Sequence, residues 1–298
     1  MRDPDRAAPD GSKGVTTVRL VSFTTADQGA GYGFITDAGL HKSSAAFKAR
    51  YPDLRAVLNA DAVAELAAHT EAPVTVSEVT LVSPIPNPDK ILCIGLNYAA
   101  HIKETGREKP KYPSIFTRYS SSVLGHENPL LRPAVSKEFD YEGELAVIIG
   151  KAGRNIRAEK AADYIAGYSC FNDGSIRDFQ RHTTQFWPGK SFDDTGSMGP
   201  WMVTKDELPN PEEQHLRTRV NGQEVQTTPI SDLAFSIGEI IAYVSTVTKL
   251  LPGDVIATGT PGGVGKFREP QLYMFAGDRV EVEITGIGTL SNPIADAA

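Results

Sequence analysis

Apolar positions in this chain fall mostly in short continuous or alternating runs, a pattern that predicts strands more often than helices. Runs at 17–23 and 32–36 read as strands separated by Gly-rich turns. Leu54, Val57 and Leu58, then Val63, Leu66 and Ala67, stand at helical spacing and predict a helix over 54–69. The stretch Ser83-Pro84-Ile85-Pro86-Asn87-Pro88 places proline at alternate positions and reads as an extended linker, where a domain boundary is expected. Beyond it, 90–96, 144–150, 255–258 and 279–284 read as strands, and 216–220 with 223–226 flank Asn221-Gly222, a strong hairpin signal. One later helix is well marked: Ser236 with Glu239 forms a capping box ahead of the stripe Ile237, Ile240, Ile241 and Val244. Strands outnumber helices and do not alternate with them, so the expected fold class is α+β, mainly β.

Composition sharpens this only slightly. With 298 residues, 40% of them hydrophobic, the chain has room for one large catalytic domain and a small accessory one. The expected division is a disordered tail at 1–14, a small N-terminal α/β domain at 15–84 and a large domain at 85–298 that carries the candidate chemistry below. A formal net charge of −7 argues against nucleic acid or an anionic membrane as partner, and leaves a small anionic substrate open. Cys93 and Cys170 are too few for a disulfide framework, so a reducing cytoplasm is expected. No run approaches the roughly 20 apolar residues of a membrane helix.

Candidate chemistry begins at Asp140-Tyr141-Glu142-Gly143-Glu144, which leads into the apolar run at 144–150. Residues two apart on a strand share a face, so Glu142 and Glu144 can converge on one point, and two carboxylates that close need a cation or a proton between them. Asp173, in the Asn172-Asp173-Gly174 turn after another apolar run, is the third candidate ligand. An all-oxygen set of this kind suits Mg²⁺, Mn²⁺ or Ca²⁺ rather than Zn²⁺. Each motif alone also fits a plain strand edge or turn; together, with Arg177 and Gln180 following, they suggest a site.

His101 and Glu104, three apart, share a face of a short helix. They are either a solvated ion pair or an imidazole held by a carboxylate for proton transfer. Lys190 follows Gly189 and is free to approach a carboxylate or oxyanion. Arg177 is placed to clamp a carboxylate or to pair with a nearby acid. The Gly259–Lys266 stretch does not make a P-loop: Thr260 occupies the first glycine position, Phe267 the position of the Mg²⁺-binding hydroxyl, and Pro270 opposes a following helix.

Six blocks carry a resemblance: ILCIGLNYAAHIKETG (91–106), DYEGELAVIIG (140–150), GYSCFNDGSIRDFQ (167–180), GKSFDDTGSMGPW (189–201), RVNGQEVQ (219–226) and LLPGDVIATGTPGGVG (250–265). In this order they resemble the fumarylacetoacetate hydrolase superfamily from Lys90 to Pro293. The resemblance implies a β-roll catalytic domain, a homodimer, and a Mg²⁺ or Mn²⁺ site at Glu142, Glu144 and Asp173. It further implies that His101 and Glu104 sit on a lid, that Lys190 is a pocket lysine, and that Arg177, Gln180 and Thr260 contact substrate. The expected reaction is hydrolysis of a carbon–carbon bond in a 2,4-dioxo acid of the acylpyruvate type, with His101 activating water and Lys190 stabilising an oxyanion. Oxaloacetate decarboxylation and isomerisation or tautomerisation of 2-hydroxy-dienedioates are the alternatives on the same metal site; a catalytically silent metal-binding scaffold is the alternative of another class. Where many members have a lysine in the strand after the lid, this chain has Arg118, which is expected to alter preference for the substrate's distal group.

Overall fold

The computed structural model describes residues 19–27, 29–104, 106 and 108–298. The tail expected at 1–14 lies outside them. Most of the chain folds around an 11-stranded sheet whose order runs Gly39–Lys42, Ala30–Thr36, Arg19–Thr24, Gly196–Thr204, Ile165–Asn172, Gly143–Ile149, Val255–Ala257, Ile91–Gly95, Ser114–Arg118. Thr80–Val82 and Val123–Leu124 pair onto it from the side. A second, 5-stranded sheet is ordered Gln223–Pro229, His215–Val220, Arg279–Ile284, Gly288–Asp296, Leu130–Arg132. The fold is α+β and mainly β.

The strand Gly143–Ile149 is buried along its whole length and lies inside the large sheet, which explains its unbroken run of apolar residues. Its side chains alternate between two cores. Leu145, Val147 and Ile149 pack with Ile240, Ile241 and Val244 of the Ile237–Val247 helix, whereas Ala146 and Ile148 face Leu20, Tyr32 and Phe47. That helix starts at the expected capping box. The hairpin at Asn221-Gly222 forms with φ of 52° and 78°, the left-handed pair a two-residue turn of this kind requires.

Two readings of the sequence give way. The helix expected over 54–69 breaks into Leu54–Asn59 and Val63–Leu66, because Asp61 adopts φ of 54° and turns the chain between them. The N-terminal segment is also less separate than a boundary at Pro84 implies. Arg19–Thr24 pairs antiparallel with Gly196–Thr204, so its strands extend the central sheet. Ser83 and Ile85 are buried within the proline-rich stretch, and the Ser22 hydroxyl donates to Pro84 O at 2.8 Å.

At Gly143 the second sheet packs directly against the first. A Cβ there would lie 2.1 Å from Thr218 Oγ1 of the second sheet. Gly143→Ala is therefore expected to cost roughly 1–3 kcal/mol by overpacking. Urea denaturation of the variant beside the parent checks it, and an unchanged midpoint would show that Thr218 yields without strain.

Candidate active site

Strand register brings the three carboxylates together. Gly143–Ile149 runs antiparallel to Ile165–Asn172 with Gly143 opposite Asn172, so the residue entering one strand lies beside the residue leaving the other. Asp173 N accordingly donates to Glu142 O at 2.8 Å, and Glu142 N to Asn172 Oδ1 at 3.1 Å. Glu144 completes the group: one carboxylate oxygen from each of Glu142, Glu144 and Asp173 lies within 4.8 Å of the others, and all three residues are buried. The neighbouring strand Val255–Ala257 delivers the 258–261 turn above them. There Gly259 N donates to Glu144 Oε2 at 2.8 Å. Gly259 has φ of +106°, and a Cβ on it would meet Asn97 Cβ at 2.7 Å, so the turn needs glycine to approach this closely. The Thr260 hydroxyl donates to Gly143 O at 3.0 Å and accepts from Gln226 Nε2 at 2.9 Å, which pins the turn to the strand.

Three cations surround the acids. Lys190 Nζ is 2.6 Å from Glu142 Oε2 and 2.7 Å from Asp173 Oδ2, and lies 5.2 Å from the centre of the Phe116 ring. Arg177 bridges Asp140 Oδ2 at 2.7 Å and Glu142 Oε1 at 2.6 Å. Arg118 Nη1 reaches Asp173 Oδ1 at 2.6 Å. Burial raises the Glu142 pKa, but Lys190 and Arg177 outweigh it and hold the carboxyl down at about 2. Glu144 goes the other way: burial, then the charges of Asp173 and Glu142, push it well above the usual range. Among the described residues Glu144 has no ion pair. With all groups ionised, the four buried acids Asp140, Glu142, Glu144 and Asp173 exceed the three buried cations by one charge. A hard divalent cation fits this donor set. It is all oxygen, it is short of positive charge at Glu144, and carboxylate oxygens that already accept one hydrogen bond keep a second lone pair.

His101 sits on the Ala99–Glu104 helix and is 7% exposed, so the pair with Glu104 is not a solvated surface bridge. Its Nδ1 lies 3.0 Å from Glu104 Oε2, and Glu104 Oε1 accepts from Gly263 N at 3.0 Å. The carboxylate thus fixes the ring and ties its helix to the loop after Thr260, leaving Nε2 for other chemistry. A cavity of about 560 Å³ is lined by His101, Glu142, Glu144, Arg177, Gln180, Lys190 and Thr260. Seven of the ten candidate site residues therefore face one space. Glu104 stands behind His101, and Asp173 completes the acid cluster without lining the cavity.

Arg118 departs from expectation. Its side chain is fully buried and its donors are consumed by Asp173 Oδ1, Gly174 O, Ser122 and Thr195. It supports Asp173 from behind and is not among the residues lining the cavity. Sequence reasoning also passed over Asp140, whose carboxylate accepts from Gly265 N at 2.8 Å, Lys266 N at 3.0 Å and Arg177 Nε at 2.7 Å. Its place beside Tyr141-Glu142 was the only signal available.

The sequence profile of the fumarylacetoacetate (FAA) hydrolase C-terminal family matches residues 90–295. The chain belongs to the fumarylacetoacetate hydrolase family. It is 46% identical over 224 residues to the oxaloacetate tautomerase YisK of Bacillus subtilis (strain 168), covering 74% of each chain. Among solved structures it is similar to a fumarylacetoacetate hydrolase from psychrophilic Exiguobacterium antarcticum, with TM-score 0.80 and 34% identity over 94% of this chain and 100% of that one. It is also similar to the maleylpyruvate hydrolase of Sphingobium sp. SYK-6 in complex with manganese(II) and pyruvate, with TM-score 0.77 and 26% identity over 94% and 100% of the two chains. Among the described residues no helix is long and apolar enough to cross a membrane.

Proposed function

We propose that this member of the family is a divalent-cation-dependent tautomerase that interconverts the keto and enol forms of oxaloacetate or a closely similar 2-oxo diacid. The observation that carries this reading is the single oriented base, His101 held by Glu104, on the wall of the cavity that Glu142 and Glu144 also line. The oxaloacetate tautomerase at 46% identity supports it and favours proton transfer over the carbon–carbon hydrolysis that the sequence first suggests. Hydrolysis of an acylpyruvate takes second place, supported by the maleylpyruvate hydrolase of similar structure.

Glu142, Glu144 and Asp173 would hold Mg²⁺ or Mn²⁺. The cation would supply Lewis-acid polarisation of the 2-oxo group and so acidify the neighbouring C3–H. His101 Nε2 takes a proton from C3 while the C–H electron pair becomes the C2–C3 double bond and the carbonyl pair moves onto oxygen. Delivery of that proton to the C2 oxygen completes the enol, and the reverse sequence returns the keto form. Nothing is oxidised and no atom is lost. Glu104 stabilises the imidazolium that forms in passing. Arg177 Nη2 is a buried donor with no partner, on a residue lining the cavity, and is available to a substrate oxygen.

The test follows the ultraviolet absorbance of enol oxaloacetate with Mg²⁺, with Mn²⁺ and with EDTA, while pyruvate release is monitored through lactate dehydrogenase. Cation-dependent loss of enol without pyruvate is expected. Stoichiometric pyruvate from oxaloacetate would make the protein a decarboxylase. Pyruvate with acetate from acetylpyruvate, and no effect on the enol, would restore hydrolysis.

A further inference from the structure

Among the described residues, the cavity wall holds one cation that neither the mechanism nor the fold uses. Arg177 and Lys190 are each committed to two acids at 2.6–2.7 Å. Arg181 also lines the cavity, yet among the described residues its side chain has no ion pair and no hydrogen bond. The nearest acid in sequence does not hold it: Asp178 Oδ1 accepts from Ser136 Oγ at 2.7 Å and from Phe179 N at 3.0 Å. Arg181 follows the Arg177–Gln180 helix as its C-terminal cap, one turn beyond the arginine that touches Glu142. A turn of helix, about 5.4 Å of rise, separates the two arginines, and Thr183 and Thr184, exposed like Arg181 and also lining the cavity, follow it within three residues.

This placement matters because the floor of the cavity is anionic. A monoacid needs only the floor; a diacid brings a second carboxylate that must find positive charge elsewhere on the wall. We infer that Arg181 is a specificity residue that binds the distal carboxylate of a dicarboxylic 2-oxo acid, while the 2-oxo acid head lies over Glu142, Glu144 and Asp173. The inference deepens the proposed function, and rests on it for the orientation of the head group. A free guanidinium suits the task, since its planar fork matches a carboxylate with two parallel hydrogen bonds. A charge-assisted pair of this kind is worth roughly a ten- to hundredfold difference in affinity.

Binding measurements separate this assignment from the reaction. Isothermal titration of the Mg²⁺-loaded protein would compare 2-oxoglutarate with 2-oxopentanoate, which share a head and chain length and differ in the distal carboxylate. The parent is expected to prefer the diacid by tenfold or more. Arg181→Gln should lose that preference while binding 2-oxopentanoate as before, and Arg181→Lys should recover part of it. Oxaloacetate kinetics give the second readout: KM should rise in Arg181→Gln with kcat little changed. A diacid preference that survives in Arg181→Gln, or is absent from the parent, overturns the assignment. A preference that depends on Arg181 in a protein inert towards oxaloacetate keeps it and sinks the tautomerase reading instead.

Discussion

Lys190→Met is expected to destabilise the cation-free protein by about 3–5 kcal/mol, the cost of removing one partner from a buried ion pair. Methionine keeps the length and the apolar stem beneath Phe116, so the change is mainly one of charge. Lys190 Nζ serves Glu142 and Asp173 together, at 2.6 Å and 2.7 Å, and is 1% exposed. Without it four buried carboxylates share two guanidiniums, one of which, Arg118, reaches only Asp173 within the acid trio. A divalent cation can restore the balance, so melting temperature should depend far more on Mn²⁺ in the variant than in the parent. A ligand at a hundred times its Kd contributes about 2.7 kcal/mol, enough to recover much of the loss. Thermal melts in EDTA and in graded Mn²⁺ would read both effects. A variant as stable as the parent in EDTA would mean that these carboxylates are not ionised together, and would remove the electrostatic case for a cation.

The same cluster shows what a sequence can and cannot disclose. Glu142, Glu144 and Asp173 are legible because each stands in a short motif at a strand end, where local spacing already limits direction. Their convergence depends on Gly143 facing Asn172, a pairing 29 positions apart that no local pattern encodes. Arg118 illustrates the failure. It stands in a strand where many family members have a lysine and so reads as a substrate contact, whereas its partners Asp173 and Thr195 lie 55 and 77 positions away and bury it. Gly196–Thr204 was not anticipated as a strand because Gly196, Gly199 and Pro200 are turn chemistry. It lies between Arg19–Thr24 and Ile165–Asn172, so tertiary pairing overrides local preference. Gly167 is part of the reason: a Cβ there would meet Val203 O at 2.1 Å, so only glycine lets the two backbones come this close. Arg181 stayed invisible for a related reason. What marks it is the absence of a partner, and partners are assigned only once the fold has placed every acid.

His101→Ala should lower kcat by roughly 10²–10⁴, the usual contribution of a positioned general base, with little change in KM. Among the described residues, the imidazole is the only side chain on the cavity wall whose second ring nitrogen is free while its first is held by a carboxylate. Cation binding is expected to survive, because His101 is not part of the acid cluster, so the Mn²⁺-dependent rise in melting temperature should match the parent's. That invariance separates lost chemistry from a damaged site. Glu104→Gln should fall between the two. The amide oxygen can still accept from His101 Nδ1, but it cannot offset the imidazolium, and the amide NH2 then cannot accept from Gly263 N as the carboxylate does. A double variant should then be little worse than His101→Ala alone, since Glu104 acts on the reaction only through the ring it holds. Additive losses would point to a separate role for Glu104 in closing the 263 loop over the cavity. Full turnover by His101→Ala would transfer the proton to another group. Lys190 is the one amine beside the acids among the described residues, and it would have to leave two carboxylates at 2.6 Å and 2.7 Å to take that part, which the Lys190→Met variant would then expose as a complete loss of activity even with Mn²⁺ saturating.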